Sequence, residues 1–334
     1  MKTYIVTGGA GSLGSVVVKA LMTRGDKVRV VDDMSRGNTD RFKGMDVDLC
    51  QASISYPSMI PWPFQYPADC VIHMAAINGT KNFYERPDVV LDTSIRGMIH
   101  VLNWCRDFHI PELLFVSSSE VYQNAPIIPT PEDIPLIVPD LSNPRYSYGG
   151  GKIAAELLAV HCGKFLKRMM IVRPHNCYSG DMAPDHVIPS LIEKILNPVL
   201  WAHNKATSNA IPIQGTGQET RSFCYIDDFV SGLLTVLDKG ENRQVYNIGT
   251  QDEISIADLV SKVGAVCGIV AHPILSQPLQ KGSPSRRCPD NTKLRELGWE
   301  PKISLEEGLK KTVQWYRENT NEIQGESQAT AETK

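Results

Sequence analysis

No apolar run in this chain approaches the ~20 residues that a membrane-spanning helix needs, so no membrane partner is expected. The eight cysteines (Cys50, Cys70, Cys105, Cys162, Cys177, Cys224, Cys267 and Cys288) are scattered and include no C-x-x-C pair. That spacing speaks against a zinc site or a disulfide framework and for reduced thiols in a cytoplasmic fold. No metal is expected. A basic excess is missing as well: 34 Lys+Arg stand against 37 Asp+Glu, a formal net charge of -3. A nucleic-acid partner, whose phosphates call for cationic surface, is therefore not expected. Met1 leads straight into an apolar strand, so no signal peptide is expected, and no internal repeat is visible. What remains is an ordinary globular composition, 42% hydrophobic and 21% charged over 334 residues. That length suffices for one large α/β domain or two modest ones with a sizeable core.

Short β-branched runs alternate with helix-period segments through the first half. Tyr4–Thr7, Val28–Val31, Cys70–His73, Leu113–Ser117 and Met169–Arg173 read as buried parallel strands. Ser15–Arg24, Val89–Phe108 and Lys152–Leu166 read as helices packed on them. The fold class implied is α/β, a doubly wound parallel sheet (Rossmann) with a smaller mixed α/β substrate-binding lobe. Residues 1–173 form the expected dinucleotide-binding domain, with 223–250 returning to it through the regular segments Phe223–Leu237 and Val245–Ile248. Residues 174–222 and 251–318 form the expected smaller lobe, punctuated by Pro174, Pro184, Pro189 and Pro198. His203–Asn209 reads as a loop. Residues 319–334 are polar without apolar period and read as a disordered tail.

The sharpest local signal is Thr7-Gly8-Gly9-Ala10-Gly11-Ser12-Leu13-Gly14, directly after the first strand and opening the first helix. Glycines at 8, 11 and 14 permit a tight turn, close backbone approach to a pyrophosphate and close helix–strand packing. The helix N-terminus then presents free N–H groups and a positive dipole end. The alternative is a glycine-rich turn without a ligand. Asp32, 18 residues after Gly14, ends the second strand. A carboxylate there accepts ribose hydroxyls and repels a 2′-phosphate, which favours NAD over NADP. Arg36 is the contrary sign, since an arginine can hold that phosphate.

Tyr148 and Lys152 stand four apart and share one helix face. An ammonium beside a phenol stabilises the phenolate and lowers its pKa from ~10 toward neutrality. Such a tyrosine takes the proton of a sugar hydroxyl as hydride leaves the same carbon. Gly149, Gly150 and Gly151 between them each cost about 1 kcal/mol relative to alanine inside a helix. Close approach of a cofactor, substrate or neighbouring backbone is the physical reason to keep them. Upstream, Leu113–Val116 runs into Ser117-Ser118-Ser119-Glu120-Val121-Tyr122. Residues at the carboxyl end of a parallel strand line the ligand crevice, so a serine hydroxyl there is placed for a reacting oxygen and Glu120 for proton removal. A plain polar strand-to-loop turn is the alternative.

TGGAGSLG, VSSSEVY and YGGGK, in that order, closely resemble the extended short-chain dehydrogenase/reductase family, in its NAD-dependent nucleotide-sugar epimerase/dehydratase branch. The resemblance runs from about residue 3 to 316. It includes Val71–Ala76, Arg173–Tyr178, Gly217–Phe223 with Asp227-Asp228, Tyr246–Gly249 and Leu297–Pro301. It implies Ser118, Tyr148 and Lys152 as the catalytic set, with Glu120 beside them. It implies a cofactor wall of Gly8, Gly11, Ser12, Leu13, Gly14, Asp32, Ser53, Ile54, Ala75, Ala76, Ser94, Tyr148, Lys152 and His175. Ser118, Ser119, Asn176, Arg221 and Arg287 are the implied substrate contacts; arginine suits a diphosphate because its planar fork is permanently charged. Departures are Ser53 for the usual aspartate, Ser94 for asparagine, Gln123 for glycine, and Ser179-Gly180 for Gly-Pro.

The resemblance implies transient C4 oxidation of a nucleotide-sugar by NAD, with three outcomes. Hydride return to the other face gives a C4 epimerase, placed first because it needs least beyond the shared machinery. Elimination gives a dehydratase, and a C6 carboxylate gives a UDP-glucuronate decarboxylase, both using Glu120 beside Ser118. Ser119 stands where common 4,6-dehydratases have an aspartate, which argues against the simplest dehydratase. A non-catalytic dinucleotide sensor or scaffold is a further reading, opposed by the presence of Ser118, Tyr148 and Lys152. The family also implies a homodimer built on Val89–Phe108 and Lys152–Leu166. Trp201–Ile211 is expected to border the substrate site.

Overall fold

A computed structural model of the chain describes residues 1–57, 59–182, 186–197 and 209–332, with side chains to residue 319. The first half is built as the sequence pattern predicts. β1 (Thr3–Thr7), α1 (Ser12–Thr23), β2 (Lys27–Asp32), β3 (Asp48–Gln51) and β4 (Cys70–His73) lead to α2 (Thr80–Glu85) and α3 (Pro87–Asp107). Then come β5 (Glu112–Val116), α4 (Tyr146–Cys162) and β6 (Arg168–Pro174). The chain continues through β7 (Cys177–Tyr178), α5 (Val187–Leu196), β8 (Ala210–Gln214), β9 (Thr220–Ser222), β10 (Cys224–Tyr225) and α6 (Ile226–Lys239). β11 (Val245–Ile248), β12 (Glu253–Ser255), α7 (Ile256–Cys267), β13 (His272–Gln277) and β14 (Arg286–Arg287) follow, before α8 (Thr292–Glu296) and α9 (Leu305–Glu332).

Seven strands form one sheet in the order β11-β6-β5-β4-β1-β2-β3. Every pairing in it is parallel. Parallel strands are covered on both faces, which is why β1 and β5 are buried almost end to end. One face packs Val17, Leu21, Phe229 and Leu233 from α1 and α6; the other packs Met98, Val101, Ala155 and Ala159 from α3 and α4. Val245–Ile248 pairs with β6, so the chain does return to this sheet after the smaller lobe. The strand order reverses between β1 and β4, and that switch point opens a crevice at their carboxyl ends.

A separate core gathers Ile188, Leu191 and Ile192 of α5, Leu259 and Val263 of α7, and Leu309 and Val313 of α9. The ends of α7 are legible in the sequence: Ser255 caps it by accepting from Asp258 N (3.0 Å), and Gly268 ends it at φ 85. Two boundaries differ from expectation. α4 begins at Tyr146, before the glycine run, because tertiary contacts outweigh propensity there (below). α9 continues helical to Glu332, where a disordered tail from 319 is expected.

Candidate active site

The crevice at the switch point is a cavity of about 830 Å³. Its floor is the glycine loop. Gly8 sits at φ +71, and a Cβ on it would lie 2.7 Å from the Ala75 backbone; a Cβ on Gly14 would lie 2.1 Å from Gly8 O. The loop is thus closed on β4 and on itself in a way that only glycine fits. Gly11 at the N-cap position gives α1 no side-chain cap, and its first turn holds no acidic residue. Its leading N–H groups are left for an anion, as a dinucleotide pyrophosphate requires. Asp32 is buried at the end of β2 and accepts from Ala10 N (2.9 Å) and Met34 N (2.9 Å). Burial raises its pKa, and those two N–H groups pull the other way. These features fit NAD: an uncapped helix end for the diphosphate and a carboxylate one strand away for the ribose.

The same cavity wall carries the chemistry. Gly8, Gly11, Ser12, Leu13, Gly14, Asp32, Ile54, Ala75 and Ala76 line it. So do Ser118, Ser119, Glu120, Tyr148, Lys152, Asn176 and Arg287. The fold therefore brings most of the sequence-derived site residues to one space. Ser53, Ser94, His175 and Arg221 do not line it. Ser53 Oγ accepts from Ser55 N (3.1 Å) and shapes a turn. Ser94 Oγ donates to Val90 O (3.0 Å) and packs against Gly151. His175 follows the end of β6, just before the chain bends at Asn176 (φ 40), and its ring is turned away from the cavity. There Nε2 meets Asn247 Oδ1 at 3.2 Å, and burial pushes the imidazole down to about 3. Arg221 spends its guanidinium on the carbonyls of Thr220, Pro284 and Ser285. Of the Trp201–Ile211 stretch, residues 201–208 lie outside the described residues, as does most of the His203–Asn209 loop.

The glycine run of α4 now has its cause. A Cβ on Gly149 would lie 2.6 Å from Glu120 O and 2.1 Å from Gln123 Nε2, and one on Gly151 would lie 2.9 Å from Ser94 Cβ. Neighbouring protein, rather than ligand, occupies the space. Gln123, standing where the family has glycine, adopts φ 51 and fills the gap beside Gly149 with its own side chain.

Tyr148 is 5% exposed and stacks on Phe83 of α2, with ring centroids 4.9 Å apart and planes 14° apart. Sequence reasoning missed Phe83; an isolated phenylalanine in a polar segment carries no signal of its target. Lys152 lies with its ammonium 5.7 Å from the Tyr148 ring centre and donates to Val116 O (2.9 Å). The expectation of a phenol already lowered by Lys152 is overturned. Burial drives the Tyr148 pKa up, and only the Ser118 hydrogen bond and the more distant Arg36 oppose it. Lys152 is itself depressed to about 7 by burial, with Glu156 partly restoring it. The reason is desolvation: both groups lose water before any ligand arrives.

Glu120 is held by arginines. Its Oε1 accepts from Arg287 Nη1 at 2.6 Å, with Arg145 Nη2 at 3.7 Å. Burial raises its pKa, but Arg287, then Arg145 and Arg221, outweigh burial and bring it to about 2. Arg287 Nε and Nη2 and Arg145 Nε are buried without a partner. Arg145 is a second residue missed from sequence, because its partner lies on another element. Below the site, Arg173 grips Glu156 through two bonds (3.0 and 2.6 Å), and Ser117 donates to the same carboxylate (2.5 Å).

Among the described residues, no helix is long and apolar enough to cross a membrane. The chain is 30% identical over 332 residues to a UDP-N-acetyl-alpha-D-glucosaminuronate decarboxylase of Bacillus cytotoxicus, covering 96% of this chain and 99% of that one. It is 26% identical to a UDP-glucose 4-epimerase of Mycolicibacterium smegmatis, over 94% and 98% of the two chains. The crystal structure of a UDP-glucose 4-epimerase with UDP-glucose from Thermotoga maritima superposes with a TM-score of 0.84 at 29% identity, covering 95% and 99%. A dTDP-glucose 4,6-dehydratase from Streptomyces venezuelae with NAD bound gives a TM-score of 0.80 at 25% identity, covering 96% and 98%. Residues 4–249 match the model of the NAD dependent epimerase/dehydratase family. With its glycine loop, buried Asp32 and Tyr148–Lys152 pair in one cavity, this chain belongs to the NAD dependent epimerase/dehydratase family and is an NAD-dependent enzyme of it.

Proposed function

We propose that the enzyme binds a nucleotide-sugar, oxidises its C4 hydroxyl to a ketone and returns hydride to the opposite face, giving the C4 epimer. The observation that carries this reading is a single cavity that brings Ser118, Tyr148 and Lys152 together between the glycine loop and Arg287. NAD, when bound, supplies the hydride acceptor. Gly8, Gly11 and the first turn of α1 hold its diphosphate, and Asp32 its adenosine ribose. As a phenolate, Tyr148 Oη would take the C4 hydroxyl proton; the positive charge of bound NAD beside it would have to offset the burial that raises the phenol pKa in the unliganded chain, and Ser118 Oγ would steady both oxygens. Lys152, its pKa lowered by burial, lies with its amine beside that phenol ring. The unpartnered N–H groups of Arg287 and Arg145 offer an anion site for the substrate's diphosphate.

Glu120 argues against dehydration, because a carboxylate paired to Arg287 with a pKa of about 2 is a poor base for a C5 proton. The same arginines favour a second reading, decarboxylation, in which Arg287 holds a C6 carboxylate beside Ser118. The test is incubation with UDP-glucose, UDP-N-acetylglucosamine, dTDP-glucose and UDP-glucuronate, followed by mass spectrometry and NMR of the products. An isobaric product inverted at C4 supports epimerisation. Loss of carbon dioxide from the uronate replaces it with the second reading, and loss of water refutes both. Tyr148→Phe abolishes turnover while NAD stays bound; a turnover-competent variant removes the phenol from the mechanism.

The assembly follows as a homodimer through α3 and α4, on which Leu91, Ile99 and Leu157 are exposed. Light scattering of the wild type and of Leu157→Glu tests it; a monomeric wild type rules it out.

A further inference from the structure

Cys177 and Cys224 face each other directly in the parallel pair β7–β10. Paired residues on adjacent strands lie about 4.8 Å apart and point to the same side. That separation falls inside the range of about 4.4–6.8 Å between Cα atoms that a disulfide spans. The two thiols lie close enough for Cys177 to raise the pKa of Cys224. They differ in access: Cys177 is half-buried and lines the active-site cavity, whereas Cys224 is fully buried behind it. Neither thiol has a part in the chemistry proposed above. The geometry points to a reversible dithiol–disulfide site in the cavity wall, with Cys177 as the thiol that meets an oxidant of the hydroperoxide class and Cys224 as the thiol that resolves it.

The steps balance. Cys177 sulfur attacks the outer peroxide oxygen, the O–O bond breaks, and a sulfenic acid forms with release of an alcohol or water. Cys224 sulfur then attacks Cys177 sulfur, the S–O bond breaks, and the hydroxyl leaves as water with the Cys224 proton. Two thiols lose two electrons and two protons in all, and the hydroperoxide is reduced by the same two electrons. The Cys177 thiol and burial both raise the Cys224 pKa and Cys224 is shut off from the cavity, so the accessible Cys177 is the thiol that meets the oxidant first. A link between neighbouring strands sits near the short end of the permitted span, the class that thiol reductants reopen readily.

The test treats the full-length protein with tert-butyl hydroperoxide, then alkylates it under denaturing conditions and maps the peptides. The expected result is loss of two of the eight alkylatable thiols, a linked peptide pair containing Cys177 and Cys224, and full recovery on reduction. Cys224→Ala, which replaces a buried thiol by a small apolar group, loses the linked pair and retains a sulfenic acid at Cys177 trapped by dimedone. Oxidation of exposed Cys162 with both Cys177 and Cys224 still alkylatable overturns the proposal. So does a wild-type Cys177 that accumulates as the sulfenic or sulfinic acid without the link.

Discussion

Replacing Glu156 by glutamine tests what holds the catalytic helix in place. The Glu156 and Arg173 side chains are only 7% and 4% exposed, and two charge-assisted bonds join them. The glutamine amide would keep one acceptor but leave a buried guanidinium whose other bonds, to Tyr122 Oη (2.7 Å) and Glu132 O (2.9 Å), carry no counter-charge. Breaking a buried pair from one side costs about 3–5 kcal/mol, and the surviving acceptor places this variant near the lower end. For a chain of this size each kcal/mol lowers Tm by about 2 °C, so a fall of roughly 6 °C is expected in thermal melts followed by circular dichroism. Adding Arg173→Met removes the stranded charge and recovers part of the loss. The effect reaches the active site, since Glu156 lies one helical turn beyond Lys152 and raises its pKa. Any limb of the kcat–pH profile set by Lys152 therefore moves to lower pH in Glu156→Gln. A melt within about 2 °C of wild type, or a double variant no better than the single one, refutes the reasoning.

Gly14→Ala places a methyl 2.1 Å from Gly8 O, so the loop must open; at least a tenfold weaker NAD affinity is expected by calorimetry, and unchanged affinity contradicts the packing. Lys152 is lowered from 10.5 to about 7, so between those values the unfolded chain binds more protons than the folded one. Its contribution to stability then rises with pH through that window, by up to about 2–3 kcal/mol from pH 7 to pH 9. Urea midpoints of Lys152→Met should lack that rise, and parallel slopes for both proteins defeat the assignment. Glu120→Gln frees Arg287 of its carboxylate and should tighten UDP binding by about tenfold, or ~1.4 kcal/mol, with a steeper salt dependence. Weaker UDP binding in that variant removes Arg287 from the anion site. Ser255→Ala removes the α7 cap and should destabilise by about 1 kcal/mol, seen as a shift in the urea midpoint without a change in slope.

What the sequence alone determined is what short contiguous stretches encode. The strand, glycine loop and helix from Thr3 to Thr23 are one such unit, and their spacing already points to a dinucleotide-binding crevice. Tyr148 and Lys152 share a face because helical periodicity is local, and Ser118 reaches the crevice because strands end there. Tertiary structure alone decided the charge states and the orientations. Glu120 lies 167 residues from Arg287, the group that converts it from a free base to an ion pair. The family resemblance assigns His175 to the cofactor wall, yet the fold places its ring against Asn247, 72 residues away in the chain. The glycines of α4 signal close contact without naming Gln123, Glu120 and Ser94 as the contacts. The Tyr148 phenol rises where the four-residue spacing to Lys152 predicts a fall. Desolvation and Coulomb attraction depend on which distant segments pack around a group and how much water they remove, and no local pattern carries that information.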